Sequence, residues 1–162
     1  MDISLIKKNT LKIDEFQFKC SIGAEGLKKN KVEGDLCTPK GRYKLKNLFY
    51  REDRKKNFVC RLNKIKIKKN MGWCDDPENK FYNSLIYNNK NIKCEQLFRK
   101  DHLYDFFIEI DHNIEKKPFA GSAIFIHLTK NYKPTKGCVS LKEKDFRILL
   151  KLVTKNSYLN IL

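Results

Sequence analysis

Two short apolar runs constrain the fold of this chain more than any other feature. Residues 103–110 (LYDFFIEI) and 120–128 (AGSAIFIHL) are rich in aromatic and β-branched side chains and are bounded by turn-forming residues. Runs of that length and composition suit buried strands, and these two are expected at the centre of a sheet. Nearby, Phe16, Phe18, Cys20 and Ile22 alternate with polar residues, the period of a strand with one face on a core. Residues 43–45 and 58–67 also read as strands, the second with imperfect alternation through Cys60, Leu62, Ile65 and Ile67, and residues 158–162 read as a closing strand.

The intervening segments carry turn and helix signals. Thr38-Pro39-Lys40-Gly41 reads as a turn, since proline presets φ and glycine tolerates the opposite sign. Residues 73–87 hold Asp75, Asp76, Pro77, Asn79 and Asn83 among scattered aromatics and read as a long ordered loop. Only Phe146, Leu149, Leu150 and Val153 fall at helical spacing, i, i+3, i+4 and i+7. Ser140-Leu141-Lys142-Glu143 before them fits a capping box, with Lys142 and Asp145 as a competing start. The expected fold is mainly β, largely antiparallel, with one or two short helices.

A chain of 162 residues fits one domain, 1–162. Its 41% hydrophobic and 12% aromatic content excludes disordered and collagen-like readings. Lys+Arg exceed Asp+Glu by 35 to 19, so the surface attracts anions. Much of that excess is lysine scattered among asparagine and isoleucine (Lys64, Lys66, Lys68, Lys69; Asn88, Asn89, Lys90, Asn91), which first reads as a solvated face. The six cysteines are irregularly spaced and include no C-x-x-C pair, so neither a disulfide framework nor zinc is expected. No metal or cofactor is anticipated. The first residues lack a signal-peptide core, and no apolar run approaches the roughly 20 residues of a membrane helix.

The chemistry is concentrated in residues 124–141 (IFIHLTKNYKPTKGCVSL). Ala123, Phe125 and His127 share one strand face, so His127 emerges at the end of an apolar row. A loop then returns to Gly137-Cys138 just before the helix, where free N–H groups and the helix dipole would favour a thiolate. Gly137 lets the chain turn sharply and the backbone approach a carbonyl, so N–H groups around Gly137 and Cys138 suit an oxyanion hole. His127 would act as base and then as acid, the division of labour in cysteine acyl transfer.

These residues resemble the L,D-transpeptidase catalytic domain, also called the YkuD-like domain, over nearly the whole chain. The likeness rests on His127 followed by Thr135-Lys136-Gly137-Cys138-Val139, and on Glu33-Gly34-Asp35 leading to Thr38-Pro39-Lys40-Gly41. Gly72-Trp73-Cys74-Asp75-Asp76-Pro77, Asp101-His102-Leu103-Tyr104-Asp105 and Gly121-Ser122-Ala123-Ile124-Phe125 bring it closest to a small single-domain branch. The resemblance implies a β-sandwich whose cysteine attacks a peptide bond after a diamino acid in a peptidoglycan stem, releases the terminal D-amino acid and passes the acyl group to an amine. It implies Cys138 as nucleophile, His127 as base, the Leu128 carbonyl as orienter of the ring, and Gly137 in the oxyanion turn. It also implies carbapenem sensitivity, muropeptide substrates and an envelope location, although the chain shows no export signal and six cysteines suit a reducing compartment. The family's better-known members carry a histidine where this chain has Lys136, and an arginine or asparagine where it has Ser140.

Several further candidates each carry two readings. His102 and Tyr104 would share a strand face and either line the substrate groove or pack structurally. Trp73, Asp75 and Asp76 either contact an amino-bearing substrate or cap a loop, Ser140 is placed at the donor site, and His112 reads as an exposed turn residue. Cys20, Cys37, Cys60, Cys74 and Cys94 read as core or loop thiols. Competing with transfer are hydrolysis by the same cysteine, a carboxypeptidase, and a basic nucleic-acid-binding domain. No recognition signature supports specific nucleic-acid binding, and a monomer is expected.

Overall fold

The two apolar runs pair with each other. In the computed structural model, which describes residues 1–87 and 90–162, they form β11 (Phe106–Ile110) and β12 (Phe125–Leu128), antiparallel, with Phe107 opposite His127. Asn88 and Asn89 of the Lys/Asn scatter lie outside the described residues. Both strands are shorter than the runs. Residues 103–105 turn, and the chain before β12 leaves the ladder where Gly121 and Ala123 take positive φ, 96° and 52°.

From β11 the pairing passes through β12, β13 (Val139–Leu141), β3 (Phe16–Ser21), β2 (Thr10–Ile13), β1 (Ile3–Ile6) and β14 (Tyr158–Ile161) to β6 (Gly41–Tyr50), with β7 (Asn63–Lys66) outermost. The 10-residue β6 lies on β14 with its first half and on β11 with its second, so the sheet closes on itself. A register shift between Ile108 and Ile110 marks the bend that closure requires. Pairings are mostly antiparallel; β1 with β14, β12 with β13 and β6 with β7 are parallel.

The mainly β expectation holds, and several boundaries change. The strand read at 58–67 narrows to β7, and residues 43–45 extend into β6. Strands β1 and β2 were not foreseen. Thr38-Pro39 is β5 (Thr38–Pro39), parallel to β4 (Leu27–Lys28), rather than a simple turn. The loop expected at 73–87 is partly strand: β8 (Met71–Cys74) pairs with β9 (Leu85–Tyr87) and β10 (Cys94–Gln96) in a small sheet. One helix is present among the described residues, α1 (Glu143–Leu152). Its N-cap is Lys142 without a side-chain cap, so the proposed capping box does not form. Ser140 lies instead in β13, its Oγ 2.6 Å from Ser21 Oγ.

Closure produces two apolar clusters on opposite faces of β11 and β12. Ile108, Ile126 and Leu128 face the main core with Leu11, Phe18 and Leu141, capped by Phe146, Leu149 and Leu150 of α1. Phe107 and Phe125 face the other way and pack with Phe49, Trp73, Tyr104 and Cys138 beneath the small sheet. Burial on both sides explains the uninterrupted apolar run in β12, whose alternation has no polar face to show. The second cluster floors a cleft. Cys20, Cys37, Cys60, Cys74 and Cys138 are free thiols, and no helix among the described residues is long and apolar enough to cross a membrane.

Candidate active site

Parallel pairing of β12 with β13 brings His127 and Cys138 to one place. Val139 lies opposite Ile126, so Cys138, one residue earlier, meets the β12 backbone at Phe125. Its Sγ accepts the Phe125 N–H at 3.3 Å and donates to the Ala123 carbonyl at 3.2 Å. Ala123 holds φ at 52°, an uncommon value for a residue with a side chain, and that turn lies where its carbonyl meets the sulfur. Two positions along the same strand, His127 lies edge-on to the Tyr104 ring, 5.4 Å between centroids. Its Nδ1 donates to the Leu128 carbonyl at 2.7 Å, which leaves Nε2 with the lone pair. His127 and Cys138 are each 7% exposed, and both line one cleft of about 620 Å³.

The Gly-Cys turn is tied down from two sides. Thr38 Oγ1 accepts the Gly23 N–H and donates to the Gly137 carbonyl at 2.7 Å. Thr135 Oγ1 donates to the Cys138 carbonyl at 2.6 Å and accepts the Gly137 N–H at 3.1 Å. Gly137 has φ of 144°, and a Cβ there would lie 2.8 Å from the Cys37 carbonyl oxygen, so no other residue fits without backbone movement. Thr38 therefore supports the turn from 99 residues away, a contact no local pattern reveals.

The electrostatics reverse one expectation. Helix α1 begins at Glu143, with β13 between it and Cys138, so no helix dipole supports a thiolate. Burial pushes the Cys138 thiol up to about 12, and the neighbouring Glu95 charge adds to that. Burial lowers His127 to about 4 against the opposing bond from the Leu128 carbonyl. The pair is therefore a neutral thiol and a neutral imidazole lining one cleft, not an ion pair.

The other sequence candidates divide. Tyr104 lines the cleft, its hydroxyl donating to Glu95 Oε1 at 2.5 Å, and Ser140 reaches it too. His102 lies outside, exposed, on a turn, with Nε2 bonded to the Thr129 carbonyl at 2.9 Å, because the strand that would have put it beside Tyr104 starts only at Phe106. Trp73 is core: its Nε1–H donates to Asn83 Oδ1, and its ring packs on Phe49 and Phe125. Asp76 caps its own loop by accepting the Glu78 N–H, while its neighbour Asp75 lines the cleft. His112 is half-buried against Tyr43, not exposed. Sequence reasoning missed Glu95, Arg99 and Lys31, whose only signal was charge within motifs of mixed polarity.

Among the described residues, the two buried side-chain atoms without a partner are Asp75 Oδ1 and Thr129 Oγ1, and both residues line this cleft. Native interiors rarely leave such atoms unpaired, and water or a bound group completes most of those that are. No cluster of side chains suited to a metal ion occurs among the described residues. A family model for the L,D-transpeptidase catalytic domain, YkuD, matches residues 5–161. No curated protein and no solved structure matches the chain. The match takes in the closed sheet from β2 to β14, both threonine ties and the cysteine-histidine cleft, and the chain belongs to the L,D-transpeptidase catalytic domain family.

Proposed function

We propose that the chain is a cysteine acyltransferase acting on peptidoglycan stem peptides, with Cys138 as nucleophile and His127 as the proton carrier. The observation that carries this reading is the shared cleft, where a thiol and an imidazole with a free Nε2 face the same 620 Å³ space. The Leu128 carbonyl holds the ring by Nδ1, so Nε2 is the atom that exchanges protons.

With the thiol pushed up to about 12 and the imidazole down to about 4, a preformed ion pair is unfavourable. The proton therefore passes from Sγ to Nε2 as Sγ bonds to the substrate carbonyl carbon, not beforehand. The carbonyl π electrons move to oxygen, and the N–H of Cys138 stabilises the oxyanion; the Gly137 N–H is already held by Thr135. Collapse breaks the C–N bond, and Nε2–H protonates the departing D-amino acid. A thioester remains on Cys138. An acceptor amine attacks it, loses a proton to Nε2, and the sulfur leaves to be reprotonated. Water in place of the amine would make the same site a carboxypeptidase.

Product masses from purified tetrapeptide muropeptides test this directly. Crosslinked dimers with free D-amino acid are expected; shortened monomers alone would assign hydrolysis instead. Cys138→Ser should lose both products while keeping the wild-type melting curve, and retained turnover would overturn the mechanism.

A further inference from the structure

Glu95 has no role in the mechanism above, yet it stands in the same cleft as the nucleophile. It lies on β10 opposite Trp73, whose ring packs 5.0 Å from Phe125, the residue whose N–H holds Cys138 Sγ. Tyr104, buried between Glu95 and His127, fixes the carboxylate by donating its hydroxyl to Oε1. No ion pair reaches that carboxylate among the described residues. Arg99 lines the cleft too, but its guanidinium is committed to Asp101 at 2.9 and 2.7 Å. Lys31 is committed to Asp35 and to the Val32 carbonyl. Asp75, with its unpartnered Oδ1, adds a second carboxylate to the cleft wall.

A carboxylate beside a nucleophilic thiol opposes the charge that the attacking sulfur must develop. This cleft keeps one there, held in place, with no cation paired to it. We propose that Glu95 is the seat for an ammonium group of the substrate, and that filling this seat removes the charge restraining Cys138. The proposal rests on the acyl-transfer reading and deepens it by naming what the donor must carry. Before substrate binds, the thiol stays protonated on the Ala123 carbonyl, and a cationic substrate weakens, without abolishing, the opposition to its ionisation.

Other charges around the pair leave this restraint in place. Burial raises the Glu95 carboxyl; the Tyr104 bond, Arg99 and Lys136 act against that, and Asp75 adds to it. Lys31 acts on Cys138 in the opposite sense to Glu95, and Arg99, Asp101 and His102 act on His127. The two lysines soften the effect of Glu95, and burial keeps the thiol high regardless, so removing the carboxylate should lower the thiol without making it ordinary.

The experiment uses Glu95→Gln, which keeps the size and an acceptor for the Tyr104 hydroxyl. Cys138 is titrated by its rate of reaction with methyl methanethiosulfonate, a small neutral thiol reagent, across pH, with the other five cysteines replaced. Glu95→Gln should move the midpoint down by about one unit, roughly a tenfold faster reaction at any pH below it. Should that variant fold poorly by circular dichroism, ethylammonium chloride against sodium chloride at equal ionic strength gives the wild-type counterpart: faster reaction is expected with ethylammonium alone. An unchanged profile in both arms overturns the restraint. In a second arm, tetrapeptides with a free or an acetylated side-chain amine are compared by kcat/KM. The wild type should prefer the free amine tenfold or more, and Glu95→Gln should reduce that preference toward unity. An equal preference in the two proteins overturns the seat. No turnover of either peptide, with the reagent arm still responding, would reject the peptidoglycan reading while leaving the Glu95 restraint standing.

Discussion

The strand-borne histidine and the Gly-Cys turn were legible in the chain because both are local patterns. Their protonation was not, because it depends on what surrounds them in space. A cysteine close to a helix in sequence suggested a thiolate, but β13 inserts between them and burial decides the matter. The structure therefore implies a slow free thiol: at neutral pH, Cys138 should react with a neutral reagent on the order of a thousandfold more slowly than an exposed cysteine of ordinary pKa. A rate within a few-fold of glutathione would contradict that. Gly137→Ala should be destabilising by about 1–3 kcal/mol, since its Cβ meets a carbonyl oxygen and its φ is unfavourable. Calorimetry checks this as a fall in melting temperature of about 2–4 °C per kcal/mol.

Among the elements, those with a regular period were read most accurately. Helix α1 and strand β3 announced themselves through spacing, as did the cores of β11 and β12. The small sheet of β8, β9 and β10 did not, because Asp75, Asp76, Pro77 and Asn79 dominate the segment and mask short strands on either side. Nor did the support that β5 gives the active turn, since Thr38 reaches Gly137 only after the sheet has closed. Thr38→Val keeps the shape but leaves the Gly23 N–H and the Gly137 carbonyl unpaired, at a cost of about 1–3 kcal/mol for a buried group. If the tie also positions Cys138, kcat should fall more than KM rises; unchanged kcat with lowered stability would restrict Thr38 to a scaffold role.

For the molecule as a whole, the charge of +16 gives the surface a positive field that selects no particular ligand. Burial of one histidine also sets an acid limit on stability. His127 takes up a proton near pH 6.5 when unfolded but only near pH 4 when folded. Between those values the unfolded chain holds more protons, so stability is complete above about pH 6.5 and declines as pH falls toward 4, by roughly 3 kcal/mol in all. Asp35, held near 2 by Lys31 and two backbone N–H groups against the opposing effect of burial, has stability to lose only at lower pH, below its ordinary 3.8. Denaturant midpoints from pH 7 to 4 should fall for the wild type and stay flatter for His127→Gln; parallel curves would remove His127 from the acid limit.

Intact-mass spectrometry after mixing the protein with a carbapenem addresses the proposed chemistry at its source. One covalent adduct, mapped to Cys138 and absent from Cys138→Ala, is the expected result. No adduct, or an adduct that survives in Cys138→Ala, would mean that this sulfur is not the acyl carrier.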